Sequence, residues 1–296
     1  MLKKFALVLA TGVIVAAPSY WYLTARNGTP AGTFDLDLAE LRRLANERPG
    51  ARPTEVRAER IATLQFPERA ILAGASWELR DLDVYAFQAR YADGSFGLID
   101  TGMDEAVAKA QGATFFDARA FERVTAAMEP ARFIVVTHEH FDHMGGVVVH
   151  PKVKSLNWLV TPQQLQVPGN LAPVKLGDLP GTRLVYEKAT AIAPGVVVWR
   201  AAGHTVGHQV VFVQRADGQE LLFLGDVAWY RENYRQVRER ATLVTLILGE
   251  DRGAVLAQLA AVKALSEAHP QLHVVPGHDP DVYDEAFAGG WLTRGF

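Results

Sequence analysis

The 296-residue chain contains no cysteine. That absence excludes disulfides, thiolate metal ligands and a thiolate nucleophile together. It leaves the compartment open, because a cysteine-free chain is at ease in either redox setting. Excess charge is scarce too. The formal net charge is -3, and no basic stripe with interleaved aromatics appears, which argues against a nucleic-acid partner. No internal repeat is visible. What the chain does have is apolar residues, 49% of the total, ample for one large globular domain with an N-terminal extension.

Lys3-Lys4 precede an apolar run over residues 5–23, with Tyr20-Trp21-Tyr22 near its far end. About 20 residues suffice to span a bilayer. The basic flank fits the cytoplasmic side and the aromatics fit an interfacial belt. A cleaved signal peptide is the rival: Ala16, Ala17 and Ser19 offer weak cleavage sites, but Pro18 sits among them. A buried core helix is the third reading. The uncleaved anchor is favoured, and either of the first two places the rest of the chain outside the cytoplasm, on the periplasmic side in a bacterium. Residues 1–26 are therefore expected to form a signal anchor or transmembrane helix. Residues 27–55 are expected to form a linker with a short amphipathic helix carrying Leu38, Leu41 and Leu44, and residues 56–296 the main domain.

In that domain strand-like runs alternate with helical patterns. Residues 77–91, turning at Asp93-Gly94 into residues 96–99, read as a hairpin. Residues 104–110 and 118–128 read as helices, Phe133-Ile134-Val135-Val136 as a buried strand, and Trp158-Leu159-Val160 as another. Residues 162–180 are Pro/Gly-rich and read as a long loop. Strands are expected at 196–200, 209–213, 220–224 and 273–275, with a helix at 252–268 whose stripe is Val255, Leu259, Val262 and Leu265. This mixture implies sheets covered by helices, an α/β layered domain.

The run Thr137-His138-Glu139-His140-Phe141-Asp142-His143 carries the chemistry. Three imidazoles and a carboxylate within six residues suit a borderline ion such as Zn²⁺. The competing reading is a solvated turn that binds metal weakly. Further ligand-type residues downstream weigh against it. In an extended segment His138, His140 and Asp142 share a face, Glu139 and Phe141 are spacers, and His143 turns off at a loop opened by Gly145-Gly146. Asp100, His204, Asp226 and His278 each follow an apolar run, and strand ends on a rigid sheet hold ligands to the tolerance a metal needs. His150, His269 and His273 have no motif around them and read as surface or packed histidines.

The ordered set Asp100-Thr101-Gly102, the His138–His143 cluster, Gly203-His204-Thr205, Leu224-Gly225-Asp226 and Gly277-His278 resembles the metallo-β-lactamase fold superfamily. The resemblance implies a four-layer αββα sandwich with a metal site at one edge. It assigns His138, His140 and His204 to one ion and Asp142, His143 and His278 to a second, with Asp226 bridging. Asp100 would orient ligands, or else simply cap a strand; His208 would orient ligands, or else begin the next strand. Two Zn²⁺ are implied, with Mn²⁺ or Fe²⁺ also compatible. Asp142 and Asp226 would partly neutralise them and leave net positive charge for an oxyanion-like intermediate. A metal-bridging hydroxide would attack, and Asp226 would shuttle a proton to the leaving group.

Departures from the family's branches narrow the substrate. Branches with a cysteine ligand are excluded, and Asp226 with His208 disfavours the remaining β-lactamase pattern. Glyoxalase II-like thioesterases share the ligand set but add a C-terminal helical region. His140 stands where diiron members carry Glu, favouring zinc. The lactonase and ester-hydrolase group remains. It carries Tyr three residues beyond the bridging Asp, where this chain has Trp229, with Tyr230 and Tyr234 as substitutes, or Trp229 and Tyr230 as pocket lining. Trp158, Trp229 and the 162–180 loop are expected to shape an apolar pocket for a small ester or lactone. A thioesterase or β-lactamase-like amide hydrolase, a phosphodiesterase or sulfatase, and a non-catalytic membrane-tethered metal module are the alternatives.

Overall fold

The computed structural model describes residues 17–166 and 181–296. Its strands form two sheets. The larger follows the order β13-β1-β2-β3-β5-β6-β7, with β4 also pairing β1. These are β1 Glu55–Pro67, β2 Leu79–Arg90, β3 Phe96–Ile99, β4 Phe115–Phe116, β5 Ile134–Val135, β6 Trp158–Val160, β7 Thr182–Arg183 and β13 Thr293–Arg294. The smaller follows β12-β11-β10-β9-β8, made of β8 Ala189–Ala193, β9 Val196–Arg200, β10 Gln209–Gln214, β11 Glu220–Gly225 and β12 Leu272–Pro276.

Side-chain alternation along these strands builds the layers. Val211 and Val213 of β10 join Val198 and Phe223 in a core that also holds Tyr85, Phe87, Ile99 and Val135 of the other sheet. Val210 and Phe212 point the opposite way, against α1 (Leu38–Ala45) and the helix Arg252–Ala268. Likewise Val84 and Ala86 of β2 face α2 (Ala118–Met128) and α3 (Phe141–Val149), opposite to Tyr85 and Phe87. Three apolar interfaces therefore separate four layers, αββα. Strands covered on both faces must be apolar throughout, which is why β9, β10 and β11 stand out in the sequence.

Several elements differ from the sequence reading. β1 runs for thirteen residues and had no expected counterpart. Its Glu59 is buried yet bound by Arg123 at 2.6 Å, so a core strand carries a charge that disguises it. Gly145-Gly146 does not open a loop. Both lie inside α3, where a Cβ on Gly146 would sit 2.3 Å from the Thr101 carbonyl oxygen. These glycines bring the helix against the Asp100-Thr101-Gly102 turn. Trp158 is fully buried in the helix-covered core of the larger sheet.

The helix of segment 27–55 packs Leu38, Leu41 and Leu44 into the outer core of the smaller sheet. The anchor expected over residues 5–23 falls mostly outside the described residues, as does most of the 162–180 loop. Residues 17–24 are helical, and among the described residues no helix is long and apolar enough to cross a membrane.

Candidate metal centre

The strand ends bring the ligand-type residues to one place. His138 and His140 follow β5, Asp142 and His143 occupy the first turn of α3, and His204 follows β9. Asp226 follows β11 and His278 follows β12. Alternation in an extended segment therefore holds for His138 and His140 only; the helix turn delivers Asp142 and His143. Two groups result. His138, His140, His204 and Asp226 each present a ligand atom within 4.8 Å of the others, and so do Asp142, His143 and His278.

Asp226 lies between the groups. Its Oδ2 is 3.7 Å from His138 Nε2 and 3.2 Å from His204 Nε2. Its Oδ1 is 3.3 Å from His143 Nε2 and 3.0 Å from His278 Nε2. The carboxylate thus turns one oxygen to each group. Gly277 permits this, since a Cβ there would meet Asp226 Oδ1 at 2.6 Å. The backbone N–H of Asp226 donates to His208 Nε2, and the Trp229 indole N–H donates to Asp226 Oδ2 at 2.7 Å. Sequence reasoning placed Trp229 in a substrate pocket and missed this bond.

Three of the imidazoles are turned by their other nitrogen. His143 Nδ1 faces Asp100 Oδ2 at 2.9 Å, His278 Nδ1 the Asp83 carbonyl oxygen at 2.9 Å, and His204 Nδ1 the Glu250 carboxylate at 2.5 Å. The Nε2 atoms of these rings are thereby left for the centre, an arrangement typical of metal-binding histidine. Asp100 also accepts from the backbone N–H and hydroxyl of Thr137, and it holds a left-handed backbone (φ 57°) that a non-glycine residue adopts only under constraint.

The fit to a cation rests on converging nitrogens and on buried atoms without partners. His140 Nδ1 lies 3.0 Å from His138 Nε2 and 2.9 Å from His204 Nε2. Nitrogens sharing a tetrahedral ion at about 2.0–2.1 Å stand roughly 3.3 Å apart, a similar spacing. His143 Nε2 and Asp226 Oδ1 are buried with no hydrogen-bond partner among the described residues. Burial so complete is costly unless a cation draws the lone pairs together.

Charges around the centre are uneven. Burial pulls the imidazoles of His138 and His140 well below the usual histidine range. Burial pulls His143, His204 and His278 the same way, but carboxylates overcome it and push all three up: Asp142, Asp100 and Asp226 for His143, Asp226 and Glu250 for His204, and Asp226 and Asp142 for His278. Burial would raise Asp226, yet the surrounding imidazoles, His278 foremost, hold it well below the usual carboxylate range.

Two further carboxylates escaped the sequence reading. Glu139 is no spacer: it is buried and accepts from the Gly207 N–H and the Thr205 hydroxyl at 2.9 Å, tying the His204 loop to the His138 segment. Glu250 is held by Arg240 at 2.6 Å while it orients His204. Glu139 lies inside the histidine cluster at a position expected to be a spacer, and Glu250 sits in no recognisable motif; only the fold brings their partners to them. Tyr230 donates its hydroxyl to the Asp81 carbonyl oxygen, and Tyr234 packs in the outer core of the smaller sheet. His150 is buried, and His273 stacks on Trp291.

Residues 83–288 match the family model of the metallo-beta-lactamase superfamily. The chain belongs to this superfamily. It is 25% identical over 177 residues to the N-acyl homoserine lactonase of a Bacillus species, across 53% of this chain and 68% of that protein. The lactonase of Bacillus thuringiensis matches to the same extent. Among solved structures, an N-acyl homoserine lactone hydrolase with N-hexanoyl-L-homoserine at its catalytic metal centre aligns with TM-score 0.63 and 17% identity, over 79% of this chain and 96% of that one. A dizinc quorum-quenching lactonase aligns with TM-score 0.53 and 13% identity, over 77% and 89%. The structural likenesses show the fold. With the family match and the buried His/Asp groups, they make this superfamily member a metal-dependent hydrolase that takes a divalent ion.

Two outcomes are expected. Glu250→Gln should weaken Zn²⁺ affinity by about tenfold in chelator competition, within the 10–100-fold range of such outer partners. The melting temperature of the metal-free variant serves as the folding control, and unchanged affinity contradicts the role. Because His143, His204 and His278 are pushed up, they carry protons below their raised pKa values, and a metal must displace them. Affinity should therefore rise with pH and fall on acidification. Calorimetry in buffers of different ionisation heat should record net proton release; no buffer dependence contradicts it.

Proposed function

We propose that the chain is a dinuclear zinc hydrolase that cleaves a carboxylic ester or lactone. The observation that carries this reading is the Asp226 carboxylate, with Oδ2 turned to His138 and His204 and Oδ1 to His143 and His278. In this reading His138, His140 and His204 hold one ion, Asp142, His143 and His278 the other, and Asp226 is shared. Such ions, when bound, polarise a carbonyl and make water acidic enough to be a nucleophile near neutral pH.

The protein's own contribution is positional. Asp100, Asp83 and Glu250 fix three ring orientations, while His208 and Trp229 fix Asp226. Asp226, held well below the usual carboxylate range by the surrounding imidazoles, is anionic and suited to serve as a ligand. Asp142 and Asp226 are the two anions among seven proposed ligands. The site then stays positive towards a developing oxyanion. Ester and lactone substrates are favoured by the matched lactonases of Bacillus. We also propose that residues 5–23 hold the chain at a membrane, with the catalytic domain outside the cytoplasm; the apolar run, Lys3-Lys4 and Tyr20-Trp21-Tyr22 support this.

The test is turnover by the purified full chain with Zn²⁺ on esters, lactones, thioesters, β-lactams and phosphodiesters. Ester or lactone hydrolysis is expected, lost on chelation and restored by Zn²⁺. Asp226→Ala should lose more than about 100-fold, beyond what an outer partner costs. Cleavage of phosphodiesters alone, or full activity in that variant, overturns the reading.

A further inference from the structure

The helix α4 (Thr242–Leu248) is inside out for a water-facing helix. It buries Thr242 and Thr245, whose hydroxyl bonds the Thr242 carbonyl oxygen, and exposes Leu243, Leu246 and Ile247. The last two are 62% and 69% exposed. Positions 243, 246 and 247 form one stripe at i, i+3, i+4 spacing. Single exposed aliphatics are ordinary, but a contiguous apolar surface marks an interaction site.

This stripe does not stand alone. The Ala241 N–H at the start of α4 donates to the Ala70 carbonyl oxygen, in the connection between β1 and β2. That connection exposes Trp77, and the strand ends beside it expose Phe66 and Leu79, where Leu79 pairs Pro67. Trp77 in turn donates its indole N–H to the Tyr20 hydroxyl at 3.0 Å, with the rings 6.4 Å apart. Helical residues Tyr20, Trp21 and Tyr22 are themselves exposed, and the Gly74 N–H bonds the Thr24 carbonyl oxygen. Backbone hydrogen bonds thus hold the N-terminal helix, the β1–β2 connection and α4, each with exposed apolar side chains, next to one another. This face borders the metal centre, because the Phe66 ring lies 6.0 Å from that of Trp229, which bonds Asp226.

We infer that this face docks on the surface of a lipid bilayer. Three observations select that occupant. The surface is rich in Tyr and Trp, the residues of membrane interfaces. The described end of the apolar run, the helix of residues 17–24 with Tyr20, Trp21 and Tyr22, is part of this face, so a membrane that holds that end lies against it. Arg69 sits over the Tyr20 and Trp77 rings and Arg26 over Tyr22, cations suited to anionic headgroups. The inference rests on the membrane reading of residues 5–23 and goes further: the catalytic domain lies down on the bilayer instead of hanging from a tether.

The cysteine-free chain allows a direct test. Ile247→Cys and, as a control in the exposed β10–β11 turn, Asp217→Cys are made in the full chain, labelled with a polarity-sensitive fluorophore and mixed with vesicles containing anionic lipid. The expected result is flotation with the vesicles, a blue-shifted label at 247 quenched by a lipid-borne nitroxide, and an aqueous label at 217 quenched by iodide. If the chain floats but the label at 247 behaves like that at 217, docking is overturned and the anchor stands. If the chain does not float, both fall. If the label at 247 escapes both quenchers, a protein occupant covers the face, a second copy or residues 167–180, and docking is overturned.

Discussion

The centre depends on one constraint: a fully buried carboxylate, Asp226, must face four imidazoles and leave each of its oxygens oriented. Isolated, such an anion would be prohibitively costly to bury. Here the His208 ring, the Trp229 indole and the strand-end turn at Gly225 hold it in place, and Gly277 clears the space beside it. In this arrangement of the two sheets β5, β9, β11 and β12 end at one edge and deliver the proposed ligands from separate parts of the chain.

Around that carboxylate the imidazoles are set by buried oxygens. Asp100 fixes His143 and Glu250 fixes His204, so the carboxyl partners of these proposed ligands are themselves buried and paired. Arg240 completes the Glu250 pair and lies 4.9 Å over the Trp229 ring. The N-terminal segment reaches the same place, because Asn27 and Gly28 bond Val237 and Glu239 just before Arg240. Orientation of the ligands thus spreads through the fold, well beyond the seven side chains at the centre.

The sequence made the layers and the ligand candidates legible for physical reasons. β9, β10 and β11 are apolar on both faces because both are covered, and each ligand candidate follows an apolar run that had to be a strand. β1 was illegible because Glu59 interrupts its pattern, tolerable only through Arg123. The α3 glycines read as a loop because close helix approach and chain flexibility ask for the same residue. Glu139 and Glu250 were invisible because their partners lie 68 and 46 residues away. Trp229 was read as pocket lining because nothing in its spacing reveals where an indole N–H points.

The central claim is that one carboxylate joins two ions. The most direct measurement is the metal content of the full chain, loaded with Zn²⁺, freed of excess by gel filtration and analysed by mass spectrometry. Two ions per chain are predicted, one for each His/Asp group. With His278→Ala, which removes a ligand proposed for the second ion only, the content should fall towards one. A wild-type content of one ion or none contradicts the account.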